Sequence, residues 1–124
     1  MSMAGTSKYH ARKITTPEGT FDSRKEHRRW QELCLLQRGG VISDLRRQVA
    51  YTLIPAQREP DITGPRGGVK RGKLMERPVD YVADFVYQKD GQTVVEDSKG
   101  VRTKDYIIKR KLMLWVHGIR ILET

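Results

Sequence analysis

The sequence predicts an α/β domain built on a mixed sheet. Two stretches, near residues 24–38 and 104–117, carry helix start and stop signals. Three runs are rich in β-branched and aromatic residues, and two of them flank Asp90-Gly91, a strong signal for a two-residue hairpin turn. The resulting order is helix, strand, hairpin, helix, strand.

Residues 1–7 are small and polar and read as a frayed terminus. Residues 8–16 alternate loosely, and Pro17-Glu18-Gly19 is a turn. Ser23 is placed to cap the first helix, with Glu26 three residues on and Phe21 just ahead of it. That helix is predicted over 24–38 and stops at Gly39-Gly40. Trp30, Leu33, Cys34 and Leu36/Gln37 form its apolar stripe, leaving Arg24, Lys25, Arg28 and Arg29 to face water or phosphate. Val49, Tyr51 and Leu53 recur at period two, which predicts a strand over 45–54 ended by Pro55. Residues 58–77 hold Pro60, Gly64, Pro65, Gly67, Gly68 and Gly72 among six basic residues. With its flanks, 56–78, this segment is predicted as a flexible basic loop. Strands follow at 78–88 and 92–99, and Gly100 breaks the second. Thr103 caps a last helix over 104–117, expected to bury Ile108, Leu112 and Trp115; both Trp30 and Trp115 are read as core. Gly118 ends that helix, and residues 119–122 supply a final edge strand.

A chain of 124 residues fits one domain over 1–124, and 37% hydrophobic content supports one modest core. Lys and Arg outnumber Asp and Glu by 24 to 15, a net charge of +9 that favours a polyanion, nucleic acid before membrane. No apolar run approaches the roughly 20 residues of a spanning helix. Residues 1–12 lack the apolar stretch of a signal peptide, so a cytoplasmic location is expected. Lone Cys34 excludes an internal disulfide, and the scattered His10, His27 and His117 fit no zinc spacing.

The chemistry concentrates on the hairpin. A two-residue Asp90-Gly91 turn sets Asp84 opposite Asp97, on a non-hydrogen-bonded pair whose Cα atoms lie about 4.5 Å apart. Asp97 and Lys99 are two apart and share a face with Asp84, whereas Glu96 points the other way. Opposed carboxylates destabilise a sheet unless a positive charge lies between them. The competing reading is a solvated sheet edge neutralised by Lys99. Both acids, however, interrupt otherwise apolar runs, which favours a metal site. All-oxygen ligands select a hard ion, Mg²⁺ or Mn²⁺. Arg66, Lys70, Arg71 and Lys73 on the glycine-rich loop suit phosphate contact, and Lys104, Lys109 and Tyr106 on the last helix are further candidates.

Tyr81-Val82-Ala83-Asp84, followed by Val94-Val95-Glu96-Asp97-Ser98-Lys99-Gly100, resembles the PD-(D/E)XK nuclease signature. The similarity is greatest to the small phage-encoded endonucleases of that superfamily, once catalogued as a domain of unknown function. It extends to Lys8-Tyr9-His10, residues 21–26, Gln48, Leu53-Ile54-Pro55, residues 109–112 and the terminal Ile121-Leu122-Glu123-Thr124. Ala83 stands where the signature has proline. The resemblance implies a restriction-endonuclease-like core of α-β-β-β-α-β order. It also implies metal ligation by Asp84 and Asp97, Lys99 beside the attacking water, and a glutamate from the first helix, here Glu26. Glu26 has a second reading as the partner of Ser23 in a capping box.

The expected activity is therefore Mg²⁺-dependent hydrolysis of DNA phosphodiesters by an endonuclease, in phage DNA recombination, repair or processing. Branched DNA or a Holliday junction is an attractive substrate, and a homodimer and phage replication or recombination proteins are attractive partners. The alternatives are a non-catalytic basic nucleic-acid-binding protein on a nuclease scaffold, or a nuclease subunit of a larger phage machine.

Overall fold

A computed structural model describes residues 13–98 and 101–124. The expectations for residues 1–7, for Lys8-Tyr9-His10 and for Lys99 and Gly100 fall outside these. The elements are β1 (Ile14–Thr16), β2 (Gly19–Phe21), α1 (Arg24–Arg38), β3 (Ser43–Ile54), β4 (Gln57–Arg58), β5 (Ile62–Thr63), β6 (Val69–Lys70), β7 (Leu74–Glu76), β8 (Val79–Lys89), β9 (Gln92–Asp97), α2 (Lys104–His117) and β10 (Leu122–Glu123). Both helices begin and end where their local signals predict. Ser23 Oγ accepts the Glu26 N–H at 3.1 Å, and Thr103 Oγ1 accepts the Tyr106 N–H at 3.1 Å. Gly118 closes α2 in the left-handed conformation, φ 67°.

β3, β8, β9 and β10 form a four-stranded sheet in the order β10-β9-β8-β3. β10 runs parallel to β9 and the other pairs are antiparallel, so the sheet is mixed. With the β1–β2 hairpin and β4–β7 set aside, the element order is α-β-β-β-α-β. The last strand is Leu122–Glu123 rather than 119–122, because it is Leu122 and Glu123 that pair with Glu96 and Asp97 of β9.

Two apolar clusters cover the sheet. Leu33 of α1 packs with Ile42, Phe85 and Tyr87, while Met113 and Tyr106 of α2 pack with Leu53, Tyr81, Ala83, Val86 and Val95. Phe85 and Val86 are consecutive yet belong to different clusters, so β8 is covered on both sides and reads as a continuous apolar run. Arg47 and Phe85 lie with α1, and Val49 and Ala83, two residues along each strand, lie with α2. Simple alternation is thus interrupted in both strands at one level, that of Gln48 and Asp84. Gln48 has φ 52°, a left-handed backbone that non-glycine residues seldom adopt, in keeping with this local change of direction.

The buried face of α2 differs from the expectation. Trp115 is 88% exposed and Ile108 56% exposed, Leu112 is half-buried against the core, and Tyr106 and Met113 are buried. The chosen stripe tolerates polar residues because each finds a partner: Arg110 reaches Glu123, and the His117 ring lies 2.7 Å from the Thr52 carbonyl. Trp30, in contrast, is core-associated, stacked on Phe85 with its indole N–H donating to Glu18. The segment expected to be a flexible loop instead folds into nested ribbons, β4 with β7 and β5 with β6. Gly72 is needed there, since a Cβ would sit 1.7 Å from the Glu59 carbonyl oxygen. No helix among the described residues is long and apolar enough to cross a membrane.

Candidate active site at the end of the central hairpin

The Asp90-Gly91 turn produces the register it predicts, from Lys89↔Gln92 to Phe85↔Glu96, with Asp84 and Asp97 at the next level. Gly91 and Asp90 both adopt positive φ, as a tight two-residue turn requires. Asp97 is fully buried and Asp84 nearly so. The two carboxyls are close enough for the charge of Asp97 to act on Asp84. Each is also held from the protein side. The Tyr81 hydroxyl donates to Asp97 Oδ2 at 2.5 Å, and the Ser98 N–H donates to Asp84 Oδ2 at 2.8 Å.

Glu26 of α1 joins them. Its side chain is 4% exposed, and Arg47 Nη2 lies 3.4 Å from its Oε2. Arg47 is itself fixed, donating to the Thr20 carbonyl and lying 3.8 Å from the Phe21 ring centre. The helix cap uses the Glu26 backbone N–H, so the buried carboxylate is turned inward while the cap is intact.

The electrostatics follow from this crowding. Burial pushes the Asp84 carboxyl up to about 8; the charges of Asp97 and then Glu26 add to the push, and the Ser98 N–H opposes it. Glu26 is raised chiefly by burial, then by Asp22, with Arg47 pulling the other way and Asp97 adding a smaller push. The Tyr81 hydroxyl is driven far above its usual value by burial and by its bond to Asp97.

Among the described residues, no three His, Cys, Asp or Glu side chains are grouped closely enough to hold a metal by themselves. Mg²⁺ characteristically takes one or two carboxylates and keeps several waters. The Asp84–Asp97 pair has the donor chemistry for such an ion and lacks the nitrogen and sulfur donors of zinc.

Glu96 points away from this pair, as its register predicts. It is fully buried, accepting from Arg29 Nε at 2.5 Å, Arg29 Nη2 at 3.1 Å and the Tyr87 hydroxyl at 2.6 Å. Arg29 is therefore not a solvent- or phosphate-facing residue; a buried carboxylate demands a partner and takes this one. Tyr106 is not a phosphate contact either: it is buried, and its hydroxyl donates to Glu123 at 2.5 Å. Arg66, Lys70, Arg71 and Lys73 are distributed along the ribbon and all are exposed. Lys104 is exposed at the start of α2. Lys109 is half-buried and lines a cavity of about 190 Å³ with Tyr81, Val82, Thr103, Asp105 and Tyr106.

Sequence reasoning missed Tyr81 and Arg47. The every-other-residue burial of Val49, Tyr51 and Leu53 continues to half-buried Arg47, although on the other face of the sheet, and an arginine at such a position signals a buried acid. Tyr81 had no such signal, because it and Asp97 are not at the same level of the hairpin.

No curated protein and no solved structure matches the chain. A family profile described as "Protein of unknown function (DUF1064)" matches residues 6–117, a span that takes in Glu26, Asp84, Asp97 and both helices, so this chain belongs to the DUF1064 family.

Proposed function

We propose that the protein is a metal-dependent DNA endonuclease that hydrolyses phosphodiester bonds, on a restriction-endonuclease-like core, with Asp84 and Asp97 as metal ligands. One observation carries this reading: two buried carboxylates are packed together on neighbouring central strands, with a buried third, Glu26, near enough to raise Asp84 further. Burying like charges together costs stability in the absence of a cation. Mg²⁺, or Mn²⁺ in its place, would offset the charge of the phosphodiester and act as a Lewis acid on a phosphoryl oxygen.

The chain's own groups have separable tasks. Tyr81 and the Ser98 N–H hold the two carboxylates in fixed orientations. Arg47 restrains Glu26 at the acidic wall. Lys99, assigned by resemblance, would orient the attacking water through its three N–H donors and stabilise developing negative charge. Arg66, Lys70, Arg71, Lys73, Lys104 and Lys109 would contact the DNA backbone, in keeping with the net charge of +9.

The test is cleavage of supercoiled, linear, flapped and four-way DNA in Mg²⁺, Mn²⁺ or EDTA. Metal-dependent cleavage is expected, abolished by Asp84→Asn, Asp97→Asn and Lys99→Ala with DNA binding retained. Binding without cleavage of any substrate would leave the non-catalytic nucleic-acid-binding protein as the correct reading.

A further inference from the structure

We propose that the cleft between the first turns of α1 and the end of β9 is a subsite for a backbone phosphate of DNA, next to the Asp84–Asp97 pair; this rests on the nuclease reading above. A cavity of about 330 Å³ lies there, lined by Lys25, Arg28, Arg29, Glu32, Ser98 and Thr124. Three of the six lining residues are cationic. Glu32 is the one acidic side chain among them, and it lies 3.8 Å from Arg29 Nη1. Arg29 is committed to Glu96, and Lys25 and Arg28 are the two further cations of the lining. They stand three apart on α1 and therefore share one helix face. Both are exposed.

Ser98 supplies the second, independent observation. The residue is 9% exposed, and its Oγ has no hydrogen-bond partner among the described residues. A buried hydroxyl left unpaired is unfavourable, and a phosphate oxygen entering the cleft would satisfy it after a rotation about χ1. The same residue donates its backbone N–H to Asp84 Oδ2. Ser98 thus joins the cationic cleft to the acidic pair, and a strand whose scissile phosphate met Asp84 and Asp97 would lay a neighbouring phosphate against Ser98, Lys25 and Arg28.

The experiment compares wild type with Lys25→Gln/Arg28→Gln, Ser98→Ala and the conservative Arg28→Lys. Binding to a short DNA duplex is measured in EDTA across a salt series, and steady-state cleavage is measured in Mn²⁺. The double variant should flatten the log K against log salt slope by about 0.9, the increment for one phosphate no longer neutralised. In cleavage, its KM should rise by a larger factor than its kcat falls. Ser98→Ala should raise KM in the same direction, and Arg28→Lys should keep the wild-type slope. An unchanged slope in the double variant overturns the subsite even if wild type cleaves DNA. A wild type that binds but never cleaves removes the nuclease reading, while the slope in EDTA still decides the subsite. A wild type that does not bind DNA overturns both.

Discussion

Asp84 keeps its proton to a higher pH in the folded protein than in the unfolded chain, because burial and the charges of Asp97 and Glu26 disfavour the carboxylate. The native state therefore binds more protons between the unfolded value of 3.8 and the folded value of about 8. Its contribution to stability is fully present below that window and is lost as pH rises through it. In EDTA, the stability difference between wild type and Asp84→Asn should fall as pH is raised from 4 to 8. Mn²⁺ at a hundredfold excess over Kd should restore about 2.7 kcal/mol to wild type and little to the variant. A flat difference curve with no metal shift would make the pair merely structural. Glu123 has the opposite sign: hydrogen bonds from Arg102 and Tyr106 hold it down at about 2, so its contribution is lost as pH falls below the ordinary glutamate range. Glu26 separates cap from site in one substitution. The cap uses its backbone N–H, so Glu26→Gln should lose cleavage with melting temperature unchanged or raised. Retained cleavage with a loss of about 0.5–2 kcal/mol, the scale of a missing cap, would return Glu26 to the helix end.

At the level of elements, α2 offers two competing stripes. Ile108, Leu112 and Trp115 are the more hydrophobic, but of these only Leu112 packs against the core; the sheet receives Tyr106 and Met113, flanked by half-buried Arg110 and exposed His117, which reach Glu123 and the Thr52 carbonyl. Hydropathy alone ranks the stripes in the wrong order, since it cannot register partners contributed by β3 and β10. Met113→Ala should cost about 2–5 kcal/mol, as for a fully buried large-to-small change. Trp115→Ala should stay within about 0.5 kcal/mol of wild type by denaturant unfolding, despite removing the larger side chain. Equal effects in the two variants would mean that Trp115 is covered in solution.

For the whole molecule, the ribbon of residues 56–78 is an excursion from the sheet. Ile54 and Val79 at its two ends are paired across β3 and β8, so the chain leaves and returns at the same place. Its side chains contribute nothing to either apolar cluster. Replacing residues 56–77 by a short turn should leave the melting temperature unchanged or raise it, because a shorter loop costs less entropy to close. DNA affinity and its salt slope should fall together. Neutralising Lys70, Arg71 and Lys73 in the intact chain should flatten that slope by about 1 for every phosphate those side chains neutralise. An unchanged slope would place the DNA along α1 and α2 alone.

The sequence by itself determined the limits of both helices and the level at which Asp84 meets Asp97. Those features are local: Ser23 and Thr103 cap, Gly39 and Gly118 stop, and a two-residue turn counts the register outward from Asp90-Gly91 without reference to the rest of the chain. Glu26 was legible only as two readings, a site glutamate by resemblance and the partner of Ser23 in a capping box. Tertiary structure alone decided that its carboxylate goes inward to Arg47, that Tyr81 restrains Asp97, that Arg29 is spent on Glu96, and which stripe of α2 is buried. Each of these joins residues on different elements. Whether a polar side chain can be buried depends on the partner that meets it there, and that partner exists only once the helices have packed on the sheet.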